Sequence, residues 1–231
     1  MDELSSNRAS TDRLKTYLEV GYHRTMAAAL EWPGWCRLGR DEASALQILF
    51  DYAPRYARIL RSSHLDFQVP SDVSAFRVVE RLKGNAVTDY GVPGLIPSQD
   101  ALPPDAAELG RLQAILKACW RRFDSTVKNA DGKALRTGPR GGGRNLVGIV
   151  RHVHEAELAY LSKLGGTLSK SEASPEMVHR MILVTLEASA HGEVPEKGPR
   201  GGRRWPARYF TRRAAWHVLD HLWEVEDRLM E

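Results

Sequence analysis

The hydrophobic pattern changes character near residue 104. Before it, short apolar stretches are broken by turn residues. After it, apolar residues return every three or four positions over long segments, the spacing of a single buried helix face. Residues 17–30, YLEVGYHRTMAAAL, fit one or two strands, and the turn EWPGW (31–35) follows, with Pro33-Gly34 reversing the chain. In RDEASALQILFDYAPRYARIL (40–60), Ala45, Leu46, Leu49, Phe50 and Tyr56 recur at helical spacing. Asp41 suits the cap of that helix, and Pro54 predicts a kink or a split. HLDFQVP (64–70) and AFRVVERLKG (75–84) alternate as strands do, whereas 91–104, with four prolines and two glycines, has the composition of a linker.

Four helical segments follow. They run through 105–129, 145–164 (stopped by Gly165-Gly166), from Ser174 to about Gly192, and over roughly 206–230. Ser174 is a good N-cap, Pro175 suits the first helical position and Glu176 suits the helix dipole. Helices of this length can bury a common core as a four-helix bundle. The expectation is an α+β chain, with a small α/β domain and linker over 1–100 and the helical domain over 101–231. TGPRGGGR (137–144) precedes the second long helix and KGPRGGRR (197–204) precedes the fourth. In an alternating up-down arrangement those two helix starts would share one end.

The last helix carries AAWHVLDHLWEVEDR (214–228). At about 100° per residue, His221 falls about 40° from His217 and Glu224 about 20° to the other side. All three lie beside the aliphatic stripe of Ala214, Val218, Leu222, Val225 and Leu229, while Asp220, Trp216 and Trp223 occupy the other flank. On the second long helix His152 lies at the edge of the apolar face, with Ala156 and Ala159 beside it, and His154 points away. His152, His217 and His221 are therefore placed to converge. Neutral imidazoles suit a divalent ion such as zinc or nickel, and three protein ligands leave a position open. Asp220 and Glu224 are candidate carboxylates to orient the rings. The competing reading is a set of partly buried histidines hydrogen-bonded within the helices.

Composition narrows the function classes. With 42% hydrophobic and 27% charged residues the chain has material for a sizeable core. It has no apolar run that would span a bilayer, and its first residues, MDELSSNRASTDRLK, are polar and lack the apolar stretch expected of a secretory signal. Cys36 and Cys119 stand far apart without a CxxC spacing, as reduced thiols of a cytoplasmic protein would. The net charge of +4 is concentrated in the arginine- and glycine-rich segments rather than spread over a face, which disfavours a nucleic-acid partner. Arg140, Arg144, Arg200, Arg203 and Arg204 are candidates to bind an anion where helix starts add partial positive charge. The Trp216/Trp223 stripe suits contact with the N-terminal part or with another subunit. No nucleophile elbow, P-loop or dinucleotide fingerprint is present.

IVRHVHEAELAYL followed by RRAAWHVLDHLWEVEDR resembles the DinB/YfiT-like family over roughly 104–231. The resemblance implies a four-helix bundle whose matching histidines, His152, His217 and His221, hold a divalent metal. It implies metal-dependent chemistry of thiol-transferase or hydrolase type, with a thiol among the candidate substrates, and admits a homodimer; an anionic small-molecule substrate is the expectation from the GPRGG loops instead. The GPRGG segments are not part of that pattern. Residues 17–60 are more loosely similar to the α/β module of HicB-like antitoxins. No catalytic residue is assigned by either resemblance. The alternative function is a non-catalytic binding or regulatory protein, with structural histidines and arginine loops for a protein or nucleic-acid partner.

Overall fold

The computed structural model describes residues 13–61, 63–138, 143–169 and 171–230. It is an α+β fold. The strands β1 (Leu14–Val20), β2 (Thr25–Ala29), β3 (Cys36–Gly39) and β4 (Phe76–Lys83) form a sheet of order β3-β2-β1-β4. β1–β2 and β2–β3 are antiparallel, and β4 joins the other side of β1 in parallel. A parallel neighbour needs a long crossover, which α1 (Glu42–Asp51) and α2 (Ala53–Leu60) supply. Asp41 and Ser44 close a capping box at the start of α1. Pro54 splits the helical run, sitting in the first turn of α2, where its missing N–H leaves no gap in the hydrogen bonding.

One expectation for this half is corrected and one strand is added. Residues 64–70 form no strand: His64 takes a positive φ of 56°, which breaks the extended path. The apolar signal there came from Phe67, which packs edge-on against Trp32, Trp35 and Tyr56 at 4.9 to 5.2 Å. The unexpected strand is β3, too short at four residues to show alternation.

The segment after α3 (Ala86–Asp89) is a bound strap rather than a free linker. Glu19, buried at the end of β1, accepts hydrogen bonds from the Gly94 and Leu95 N–H groups and from the Thr88 hydroxyl. Farther on, Asp100 meets Arg212 in a fully buried ion pair, with Nε at 2.7 Å and Nη2 at 2.8 Å from its two oxygens. Arg212 also donates to the carbonyls of Ala29 and Leu30. One guanidinium thus ties strap, sheet and last helix together, and each partner answers the desolvation of the others.

The helical half comprises α4 (Ala106–Ala130), α5 (Leu146–Leu164), α6 (Pro175–Ala190) and α7 (Ala207–Arg228). Asp105, Asn145 and Ser174 cap the first three by accepting from backbone N–H groups, and Gly165, at φ 121°, ends α5. Contacts fix the helix directions. Arg208 pairs with Glu108 and Arg122 with Glu226, so α4 and α7 run the same way. The Trp205 N–H bonds the Lys163 carbonyl, and Arg228 bonds the Arg144 carbonyl, so α5 runs against α7. His154 reaches Ala173 and His179 reaches Glu157, which sets α6 parallel to α5. The expectation that the helices following the two GPRGG segments start at one end is therefore wrong, while residues 139–142 of the first segment lie outside the described residues. α5 and α7 thus start at opposite ends.

α7 is the central element. One flank carries Trp216 into a cluster with Tyr17, Met26 and Cys36, and Trp223 against Tyr52 at 5.1 Å. The other flank packs on α4 and α5. A continuous core joins Trp35, Leu49 and Tyr56 to Ile115, Phe210 and Leu222, which explains why the tryptophan stripe faces the N-terminal part. No helix among the described residues is long and apolar enough to cross a membrane.

Candidate metal centre

The i,i+4 spacing on α7 and the antiparallel crossing of α5 bring the three expected histidines together. One ligand atom from each of His152, His217 and His221 lies within 4.8 Å of the other two. The Nε2 atoms of His217 and His152 are 3.3 Å apart. Two nitrogens bound to one tetrahedral ion at about 2.0–2.1 Å would be separated by about 3.3–3.4 Å, so this pair has the right spacing. His221 donates from Nδ1 to Glu224 Oε2 at 2.8 Å. That bond fixes the tautomer and leaves the Nε2 lone pair available.

The environment favours the neutral form of two of the rings. Burial, then the neighbouring His221 and His152 rings and the charges of Arg213 and Arg144, push His217 down to about 3. Burial, then His221 and Arg144, lower His152 as well. Glu224 is held below the usual carboxylate range by its bond to His221, against a burial effect, with help from Arg228. The Nδ1 atom of His217 is buried without a hydrogen-bond partner. The donor set, three borderline imidazole nitrogens, fits zinc, nickel, copper or iron.

The remaining site residues divide. Glu224 braces His221 as expected. Asp220 does not: it is exposed and pairs with Arg37 at 3.3 Å on the opposite flank, where that guanidinium stacks between Tyr52 and Trp223. Arg144 does not share one anion cradle with Arg203 and Arg204, because α5 and α7 start at opposite ends. Arg144 is exposed beside a cavity of about 470 Å3 that Lys133, Asn145 and Arg228 also line. Arg203 and Arg204 line another, of about 620 Å3, with Trp205 and Val194. Arg204 donates to the Gly165 carbonyl, and Arg200 is exposed. Arg140 lies outside the described residues.

Two further groups escaped the sequence reading. Tyr160 of α5 packs between Trp205 and His217, at 5.1 and 5.6 Å, and Arg213 stands one turn before His217. The signal for Arg213 was its four-residue step to His217 and another to His221 on the same stripe. A second buried polar centre joins α4, α5 and α6: Glu157 accepts from Trp120 Nε1 at 2.5 Å and lies 3.1 Å from His179 Nε2, and His179 stacks on Trp120. An acid inside the Ile149, Val153, Leu161 stripe was its visible trace. Burial raises both thiols, Cys36 to about 12 and Cys119 farther, which leaves neither as a thiolate nucleophile.

No family model, curated protein or solved structure matches the chain.

Proposed function

We propose that this chain is a divalent-metal-binding protein of the DinB-like type, with α4–α7 as its four-helix bundle, and that it is a metal-dependent enzyme acting on an anionic small molecule. The observation that carries the reading is the meeting of three imidazoles from two helices, with His221 braced by Glu224. His152, His217 and His221 would hold the ion. Zinc or nickel bound there would supply Lewis acidity to a water or thiol, of transferase or hydrolase type. The chain's own groups prepare that site. Burial keeps His217 neutral at physiological pH, Glu224 fixes the His221 ring, and the cationic surroundings favour a negatively charged partner.

The division into a small α/β part up to residue 100 and a helical part from 101 belongs to the same proposal, as does a HicB-like relationship of the first part. The buried, unpaired Cys36 and Cys119 are in keeping with a reducing compartment such as the cytoplasm. One observation favours the competing reading of a non-catalytic binding or regulatory protein. A 3.3 Å separation between the Nε2 atoms of His152 and His217 also suits a ring-to-ring hydrogen bond.

Elemental analysis separates the two. After loading with excess zinc or nickel and desalting, the protein is expected to retain about one ion per chain through this single site, and His217→Ala to lose it. Retention well under one ion overturns the proposal.

A further inference from the structure

The stripe that carries His217 and His221 begins one turn earlier with Arg213, a cation with an unusual environment. Its guanidinium lies 4.7 Å from the Trp216 ring and 5.7 Å from the Tyr160 ring. It is half-buried, and its Nη1 is shielded from solvent without a hydrogen-bond partner. The neighbouring Arg212 answers its own burial with Asp100 and two carbonyls. Arg213 has no such acid within ion-pair distance among the described residues. Glu19 feels its charge, but the oxygens of Glu19 are taken by Thr88, Gly94 and Leu95. Beyond the Tyr160 hydroxyl, which it meets in a side-chain hydrogen bond, this half-buried guanidinium keeps an unmatched donor in Nη1 and has no carboxylate to neutralise it.

Its position gives that acceptor an address. Side chains four residues apart on a helix are neighbours, about 5–6 Å between Cβ atoms. Arg213 is thus one step from His217, and Tyr160 touches both surroundings, lying against His217 and under the Arg213 charge. Trp205 extends the aromatic surface beyond Tyr160. Three neutral imidazoles around a divalent cation, with Arg213 and Arg144 nearby, leave an excess of positive charge. Glu224, the carboxylate at the trio, is already engaged by His221 and Arg228.

We infer that Arg213 is the anchor for the carboxylate of a small organic acid, whose apolar body rests on Tyr160 and whose other end reaches the histidine trio. This inference rests on the metal-binding reading and assigns its substrate class. A planar guanidinium held by stacking offers two parallel donors, which match a carboxylate. An aromatic wall beside it suits a flat, apolar acid body.

The test uses the full chain loaded with cobalt, whose metal content is measured first and whose visible spectrum reports on the ion. Benzoate, benzamide and inorganic phosphate are titrated, with calorimetry in parallel. Benzoate is expected to bind and perturb the spectrum, and benzamide to bind at least tenfold more weakly. Arg213→Gln is expected to load cobalt normally and to weaken benzoate at least tenfold. Arg213→Lys, which keeps the charge without the fork, is expected to lose at least fivefold and carries the test alone if the glutamine variant does not fold. A chain that retains no cobalt overturns the metal-binding reading itself. A chain that retains cobalt overturns the anchor alone in any of three cases: benzoate and benzamide bind alike, neither anion binds, or the variants bind benzoate as well as the parent. Arg213-dependent binding of phosphate in preference to benzoate overturns the carboxylate assignment.

Discussion

Arg212 and Arg213 are adjacent on α7, yet the fold treats them oppositely. Arg212 is fully buried and its donors reach Asp100, Ala29 and Leu30. Arg213 is half-buried beside the histidine trio and has an orphaned Nη1. The same contrast separates the two histidine centres. Glu157, His179 and Trp120 form a closed set, with both carboxylate oxygens and the indole N–H engaged. The trio leaves the His217 Nδ1 without a partner and brings two ring nitrogens to 3.3 Å. Complete polar networks rigidify a core, whereas an incomplete one marks the place where something is missing. The closed centres tie separate elements together, and the ligand proposed above would sit on the face of α7 where donors are left over.

That contrast breaks most visibly at Asp100. Asp100→Ala strands the Arg212 charge in the core and is expected to cost about 3–5 kcal/mol, read from the urea midpoint. A loss below about 1 kcal/mol would mean the pair is not a closed knot. Next in size is His179→Ala, which removes a partner of buried Glu157 and is expected to cost about 2–3 kcal/mol with no change in metal content. A fall in metal content there would erase the distinction between the two histidine centres.

At the open centre the effects move from folding to affinity. Glu224→Gln loosens the His221 ring and is expected to weaken zinc about 10–100-fold in a competition titration, with the same stoichiometry at saturation. The smallest effect is a pH dependence of the metal-free protein. His217 is lowered from 6.5 to about 3 in the folded chain. The unfolded chain therefore takes up a proton that the folded one refuses, so stability falls as pH drops below 6.5. The share from this ring is about 1.4 kcal/mol for each unit down to about 3. Denaturation of wild type and His217→Ala at pH 7 and pH 5.5 should show that share in the first and not in the second.

Much of this division was legible in the chain itself. The long helices announced themselves because each buries one face, and their ends were marked by Asn145, Ser174 and Gly165. The trio was legible for the same reason: a helix converts spacing into direction, so His217 and His221 had to share a side with Glu224. Direction between helices is not encoded that way. The parallel placement of α5 and α6 has no periodic signal in the sequence between them, and an alternating up-down order therefore puts the starts of α5 and α7 at one end. Asp220 shows a related limit. Its charge type fitted a bracing role, but its angle on the helix placed it with Arg37. The Arg212–Asp100 pair was hidden altogether, because a charged residue in a proline-rich segment looks solvated until tertiary contacts bury it.

The central claim is that His152, His217 and His221 bind one ion together. X-ray absorption at the zinc edge of the loaded, desalted protein addresses it most directly. The account predicts scattering from about three imidazole nitrogens at about 2.0–2.1 Å, lost when the three histidines are replaced by alanine. A spectrum with oxygen neighbours alone, or one unchanged by that replacement, would contradict it.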